Sequence, residues 1–257
     1  MDETLSNSLL IRDPAAELLV GRRIVDFVHL CVVPDQDRAC LLSRLGELQK
    51  AIYALDVIGE NHWDIPPAML SNAWKQIREK ACLIDSSQVD SGLRGILRYQ
   101  EMELGIRKGV PVSSIPNGEF YEAKSCDVRM MRRIVGGCVS NVPERAYNEI
   151  IAAWQTHDEV TEIMDDLLDL SEDSKTMNGN RLLCLAKRIG AGPALKAYHE
   201  YLQRFHARIR QHGGMPLAES GCLAAKNALG AAMHLVSTTE CQLELIVRRA
   251  RAADRAA

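Results

Sequence analysis

The densest run of chemically capable side chains is Glu162-Ile-Met-Asp165-Asp166-Leu-Leu-Asp169-Leu-Ser-Glu172-Asp173. On a helix, Glu162, Asp165, Asp166, Asp169 and Asp173 recur every three or four positions, so several carboxylates fall along one side. Ile163, Met164, Leu167, Leu168 and Leu170 supply a packed opposite side. Like charges at this spacing repel, and a protein keeps the repulsion where solvent screens it or cations offset it. Hard oxygen donors in such an array suit Mg²⁺, which keeps several waters and completes its shell with substrate phosphates. The same pattern also fits a solvated helix face, and spacing alone leaves both readings open.

Carboxylates arranged in this way need a rigid frame, and the apolar periodicity supplies one made of helices. Asp13-Pro14 predicts a capped helix start, with Leu18, Leu19, Ile24, Val25, Val28 and Leu30 as its stripe and Pro34 as its end. Leu41, Leu42, Leu45, Leu48, Ile52, Leu55 and Ile58 predict one long amphipathic helix over 35–60. Further helices are predicted over 68–83, 88–107, 120–140, 143–170, 180–189, 193–211 and 217–250, with the turn-rich GVPVSSIPNG between two of them. No alternating strand pattern, internal repeat or low-complexity tract is present. The expectation is an all-α fold, a helical bundle around a central cavity, with residues 1–10 flexible and 11–257 forming one domain.

Composition narrows the function classes. With 47% hydrophobic and 25% charged residues, the 257-residue chain has enough apolar material for a core and a lined cavity. A formal net charge of −3 argues against a general polyanion binder, so no nucleic-acid partner is expected. The eight cysteines form no CxxC pair and read as buried, reduced thiols. The start MDETLSNS lacks the order of a secretory signal, and no run approaches the roughly 20 apolar residues that span a bilayer, so a cytoplasmic protein without a transmembrane segment is expected. HExxH, Cys/His zinc spacing, a GxSxG elbow, a P-loop and a dinucleotide glycine motif are all missing.

Three short motifs, taken in order, resemble the class I isoprenoid synthase superfamily of trans-prenyltransferases and terpene synthases. Tyr99-Gln100-Glu101-Met102-Glu103-Leu104 resembles the family's GQxxDL helix, Lys124-Ser125 its lysine-threonine step, and Glu162-Ile-Met-Asp165-Asp166-Leu-Leu-Asp169 its QxxDDxxD. The resemblance covers about residues 35–185. The first aspartate-rich motif departs from the family: in Asp56-Val57-Ile58-Gly59-Glu60 only Asp56 and Glu60 align with metal-binding carboxylates, and Val57 replaces the second aspartate. Asp37-Arg38, the leucine-rich helix after it and the stretch from Asp173 to Leu182 are similar to the moenomycin prenyltransferase.

This resemblance implies an isoprenoid synthase bundle acting on an allylic prenyl diphosphate with Mg²⁺, up to about three ions bound together with the diphosphate. It assigns Asp56, Glu60, Asp165, Asp166 and Asp169 to metal, adds Gln100 and Lys124 to the catalytic set, and gives substrate contacts to Lys124, Arg132, Lys175, Arg181, Tyr99 and Trp154. Arg248 and Arg249 are candidates for a C-terminal lid, and a homodimer is an expected assembly. Gly21-Arg22-Arg23 is an incomplete match to the site for a homoallylic co-substrate. Cyclisation with release of pyrophosphate therefore stands first, prenyl transfer second, and a non-catalytic helical scaffold third.

Overall fold

A computed structural model describes residues 14–30, 35–62, 64–84, 86–108, 110–111, 114–138, 144–174, 180–213, 234, 237–246 and 248. Among the described residues every regular element is a helix and none is a strand. In chain order these are α1 Pro14–Gly21, α2 Ile24–Leu30, α3 Asp35–Asn61, α4 Pro67–Cys82, α5 Ser86–Arg107, α6 Asn117–Lys124, α7 Cys126–Gly137, α8 Glu144–Leu168, α9 Leu170–Asp173, α10 Arg181–Ile189 and α11 Ala191–Gly213. Residues 237–246 are also helical. The stretch 1–10, Lys175, Arg249 and most of the predicted last helix lie outside the described residues. The chain groups into two compact units, residues 1–97 with 126–147 and residues 98–125 with 148–257, so the boundaries fall inside α5, between α6 and α7, and inside α8.

In the first unit α3 is the spine. Leu41, Leu45, Leu48, Ile52 and Leu55 keep the three- and four-residue spacing of a helical stripe and are all buried. α1, α2, α4 and α7 pack against it. α4 starts behind Pro66-Pro67, where a missing N–H breaks no intrahelical bond, and turns Ala73, Ile77 and Ala81 inward. α5 approaches α7 through glycine. A Cβ on Gly92 would lie 2.1 Å from Met130 Cγ and 2.8 Å from Met130 Cβ, and one on Gly95 would lie 3.1 Å from Cys126 Cβ.

Two predicted helices are interrupted, the first where its backbone serves a distant side chain and the second at a serine that bonds the turn before it. The first breaks at Arg22-Arg23, where Arg23 adopts φ 54°. The Arg22 carbonyl, released from the helix ladder, accepts a 2.8 Å hydrogen bond from the fully buried Arg132. The Arg132 guanidinium also lies over the Phe27 ring, 4.9 Å from its centroid. Tyr147 donates from its hydroxyl to the Arg132 carbonyl and packs edge-on against Phe27. The helix predicted over 120–140 divides at Ser125, whose N–H bonds the Tyr121 carbonyl and whose Oγ reaches back to the Glu122 carbonyl. Lys124 and Arg132 therefore lie on different helices, α6 and α7.

The second unit has an aromatic core. Tyr198, Tyr201 and Phe205 recur at helical spacing on α11 and are buried with Phe120, Tyr121 and Trp154. Tyr201 stacks on Tyr121 with centroids 6.1 Å apart and meets Phe205 edge-on at 4.9 Å. α10 packs on α11. No helix among the described residues is long and apolar enough to cross a membrane. The expectation of buried thiols does not hold for the described cysteines: Cys40, Cys82 and Cys241 are exposed, and Cys126, Cys138 and Cys184 are half-buried.

The glycine crossing yields a paired prediction. Gly92→Ala forces Met130 and the adjoining backbone apart and lowers stability by about 1–3 kcal/mol. At Gly46, the nearest heavy atom to an added Cβ is Leu19 Cδ1 at 3.9 Å, so Gly46→Ala gains up to about 1 kcal/mol of helix propensity. Thermal and urea unfolding of the two variants check both signs.

Candidate functional site

α8 buries an unusual number of ionisable side chains: His157, Asp158, Glu159, Glu162 and Asp166. Burial of a charge is costly unless it is paired and hydrogen-bonded, so the partners of these groups define the site. Asp166 is 2% exposed. Its Oδ1 accepts from Lys124 Nζ at 2.7 Å, and its Oδ2 accepts from the Tyr121 hydroxyl at 2.7 Å and from the Arg181 backbone N–H at 3.2 Å. Lys124 Nζ also lies 3.6 Å from Glu162 Oε2. Glu162 and Asp166 are one turn apart on α8, which is why a single ammonium reaches both.

Local sequence explains how these groups meet. Lys124 closes the last turn of α6, where a cation complements the exposed carbonyls, and Tyr121 precedes it by three residues on the same face. The Tyr121 and Tyr198 hydroxyls also bond each other, and with the Tyr121 proton committed to Asp166, Tyr198 supplies the proton of that bond. Burial and the neighbouring Asp166 carboxylate push both phenols well above the ordinary tyrosine range, so they remain neutral. Burial on its own would lower the Lys124 ammonium; the carboxylates of Asp166, Glu162 and Asp165 reverse this and hold it far above the ordinary lysine range.

A polar clasp ties the end of α8 to the start of α10. Asn180 Nδ2 donates to the Asp166 carbonyl and to Asp173 Oδ2, both at 2.7 Å. Its Oδ1 accepts from the Leu183 N–H at 3.1 Å, capping α10. Arg181 is buried, donating from Nε to Asn117 Oδ1 at 2.5 Å and from its guanidinium to the Ile115 carbonyl. One turn before Glu162, Glu159 receives Arg208 on both oxygens at 3.1 Å, Gln155 at 2.9 Å and Tyr201 at 3.4 Å. Burial pushes Glu159 up against the opposing pull of Arg208 and Gln155.

Of the residues that the sequence singles out, Lys124, Asp166 and Arg181 come together. Asp165 is half-buried, and Asp169 is exposed at the bend between α8 and α9. Gln100 is buried on α5, Tyr99 donates to Glu103 at 2.9 Å, and Trp154 is buried edge-on to His157. Arg132 belongs to the first unit with its bond to the Arg22 carbonyl. Asp56 is exposed on α3. The side chain of Glu60 lies outside the described residues, as Lys175 does. Arg248 pairs with Glu244 in an exposed ion pair at 3.2 Å. The sequence reading misses Tyr121, Asn180, Tyr198, Glu159 and Arg208 as members of the polar network. Asn180 carries a legible signal, an Asn before an apolar run, which marks a helix N-cap.

The α8 carboxylates have donor chemistry suited to Mg²⁺. Among the described residues no three His, Cys, Asp or Glu side chains form a group that could hold a metal ion. Glu162 and Asp166 are turned toward Lys124. No family model, curated protein or solved structure matches the chain.

Two predictions follow from the network. Asn180→Ala removes a helix cap and leaves buried groups of Asp166 and Asp173 without its amide, so stability falls by about 2–4 kcal/mol in urea unfolding. Glu159 holds its proton more tightly folded than unfolded, where its value is the ordinary 4.5. The stability it contributes is present below 4.5 and is lost as pH rises through the raised folded value. Glu159→Gln removes that slope, and unfolding free energy measured against pH above 4.5 becomes flatter than in the wild type.

Proposed function

We propose that the chain is a class I isoprenoid synthase that ionises and cyclises an allylic prenyl diphosphate with release of pyrophosphate. The observation that carries this reading is the pairing of Lys124 with Asp166, 42 residues away, and with Glu162. The basic step and the acidic helix that the resemblance assigns to one diphosphate site are thus neighbours within the second unit. As the carbon–oxygen bond breaks, negative charge accumulates on the departing pyrophosphate, and a positioned ammonium stabilises it.

Mg²⁺ enters this reading through the resemblance alone, as do the roles of Asp56, Glu60, Gln100, Asp165, Asp169, Arg132, Lys175, Arg181, Tyr99 and Trp154. A second reading, a non-catalytic helical protein derived from the same fold, is favoured by one observation: both oxygens of Asp166 already accept donors from the chain itself.

Incubation with geranyl, farnesyl and geranylgeranyl diphosphates, with and without Mg²⁺ and isopentenyl diphosphate, separates these readings. The expected outcome is Mg²⁺-dependent release of pyrophosphate from one allylic substrate alone, with a hydrocarbon or alcohol of unchanged carbon number by mass spectrometry. Incorporation of isopentenyl diphosphate replaces cyclisation with transfer, and inertness toward all three substrates favours the non-catalytic protein.

A further inference from the structure

The acidic face of α8 carries its own counter-ion. Lys124 Nζ stands 2.7 Å from Asp166 Oδ1 and 3.6 Å from Glu162 Oε2, and the two carboxylates are 2% and 4% exposed. We propose that Lys124 takes the place of a divalent cation on this face: while seated there, it keeps such a cation out and is itself withheld from any diphosphate. The inference deepens the proposed function, resting on it for the identity of the anion.

Three features argue that, before any anion arrives, Lys124 is the counter-ion of these carboxylates. The ammonium is held from two successive turns of α8, so moving it toward an external anion takes it from two buried carboxylates at once. The remaining donors to Asp166, the Tyr121 hydroxyl and the Arg181 N–H, act on Oδ2, leaving Oδ1 to Lys124. These donors are themselves fixed, Tyr121 by Tyr198 and the start of α10 by Asn180, so the carboxylate is aimed at Lys124 by its surroundings. A divalent cation arriving on the face would meet the ammonium at short range and in low dielectric, where like charges repel strongly.

The carboxylates and the lysine can be tested separately with two simple probes. In the presence of a chelator, inorganic pyrophosphate binds the wild type weakly. Asp166→Asn, and independently Glu162→Gln, each loosen the hold on the ammonium and tighten metal-free pyrophosphate binding by about tenfold in isothermal titration. A role confined to metal ligation leaves metal-free binding unchanged in both. With Mn²⁺ alone, the wild type shows no site while Lys124→Met gains one, read from the loss of the free Mn²⁺ electron paramagnetic resonance signal. Circular dichroism confirms that each variant is folded, and Glu162→Gln decides the pyrophosphate arm where Asp166→Asn unfolds.

The inference is overturned by Mn²⁺ binding equally to wild type and Lys124→Met, or by unchanged pyrophosphate affinity in the folded carboxylate variants. Prenyl diphosphate turnover is scored apart from both probes. Turnover by a wild type that gives either overturning result keeps the proposed function and removes the counter-ion. The expected probe results with no turnover do the reverse.

Discussion

A carboxylate held out of water organises the second unit. Moving an ion such as Asp166 into the interior costs several kcal/mol even after relaxation, and only close, well-directed partners offset it. Those partners come from separate stretches of chain: Tyr121 and Lys124 from the end of α6, the Arg181 N–H from the start of α10, and Tyr198 on α11 behind Tyr121. The relative placement of α6, α8, α10 and α11 follows from satisfying one buried charge. The aromatic contacts of Tyr121 with Tyr198 and Tyr201 then close the apolar side of the same arrangement.

Geometry of the helix also decides how the acidic motif is divided. Successive residues turn by about 100°, so Asp165 and Asp166 point apart while Glu162 and Asp166, four apart, share a face. Glu162 and Asp166 go inside, Asp165 lies at the boundary, and Asp169 is exposed beyond the last turn of α8. Three aspartates that read as one array in the sequence occupy three different environments. The inner pair shares one ammonium, a strongly hydrated point charge that suits a position between two carboxylates.

How much of this is legible in the sequence depends on the range of the interaction. The helices follow from apolar spacing, and α3 and α4 have nearly the predicted bounds because Leu41 to Leu55 and the Pro66-Pro67 start are local signals. The acidic run, Lys124 and Arg181 are legible as polar residues of interest. Their mutual contacts are not, since Tyr121 and Asp166 lie 45 residues apart and no local pattern links them. The Asn180 cap could have been read from its position before Arg181-Leu182-Leu183. Its second role, bonding Asp173 and the Asp166 carbonyl, depends on how the chain returns from α9 to α10.

The interrupted first helix shows the same limit from the backbone side. A periodic stripe from Leu18 to Leu30 favours one continuous helix, yet the chain departs from it at Arg22, whose carbonyl serves Arg132, 110 residues away. Arg132 can be fully buried because its guanidinium lies over Phe27 while donating to the Arg22 carbonyl. A lysine there would keep the charge but lose the planar group over Phe27. At Lys124 the demand is reversed: two carboxylates, one turn apart, converge on a compact charge. The sequence marks both positions simply as basic, whereas burial makes one a fastener of backbone in the first unit and the other a counterweight to carboxylates in the second.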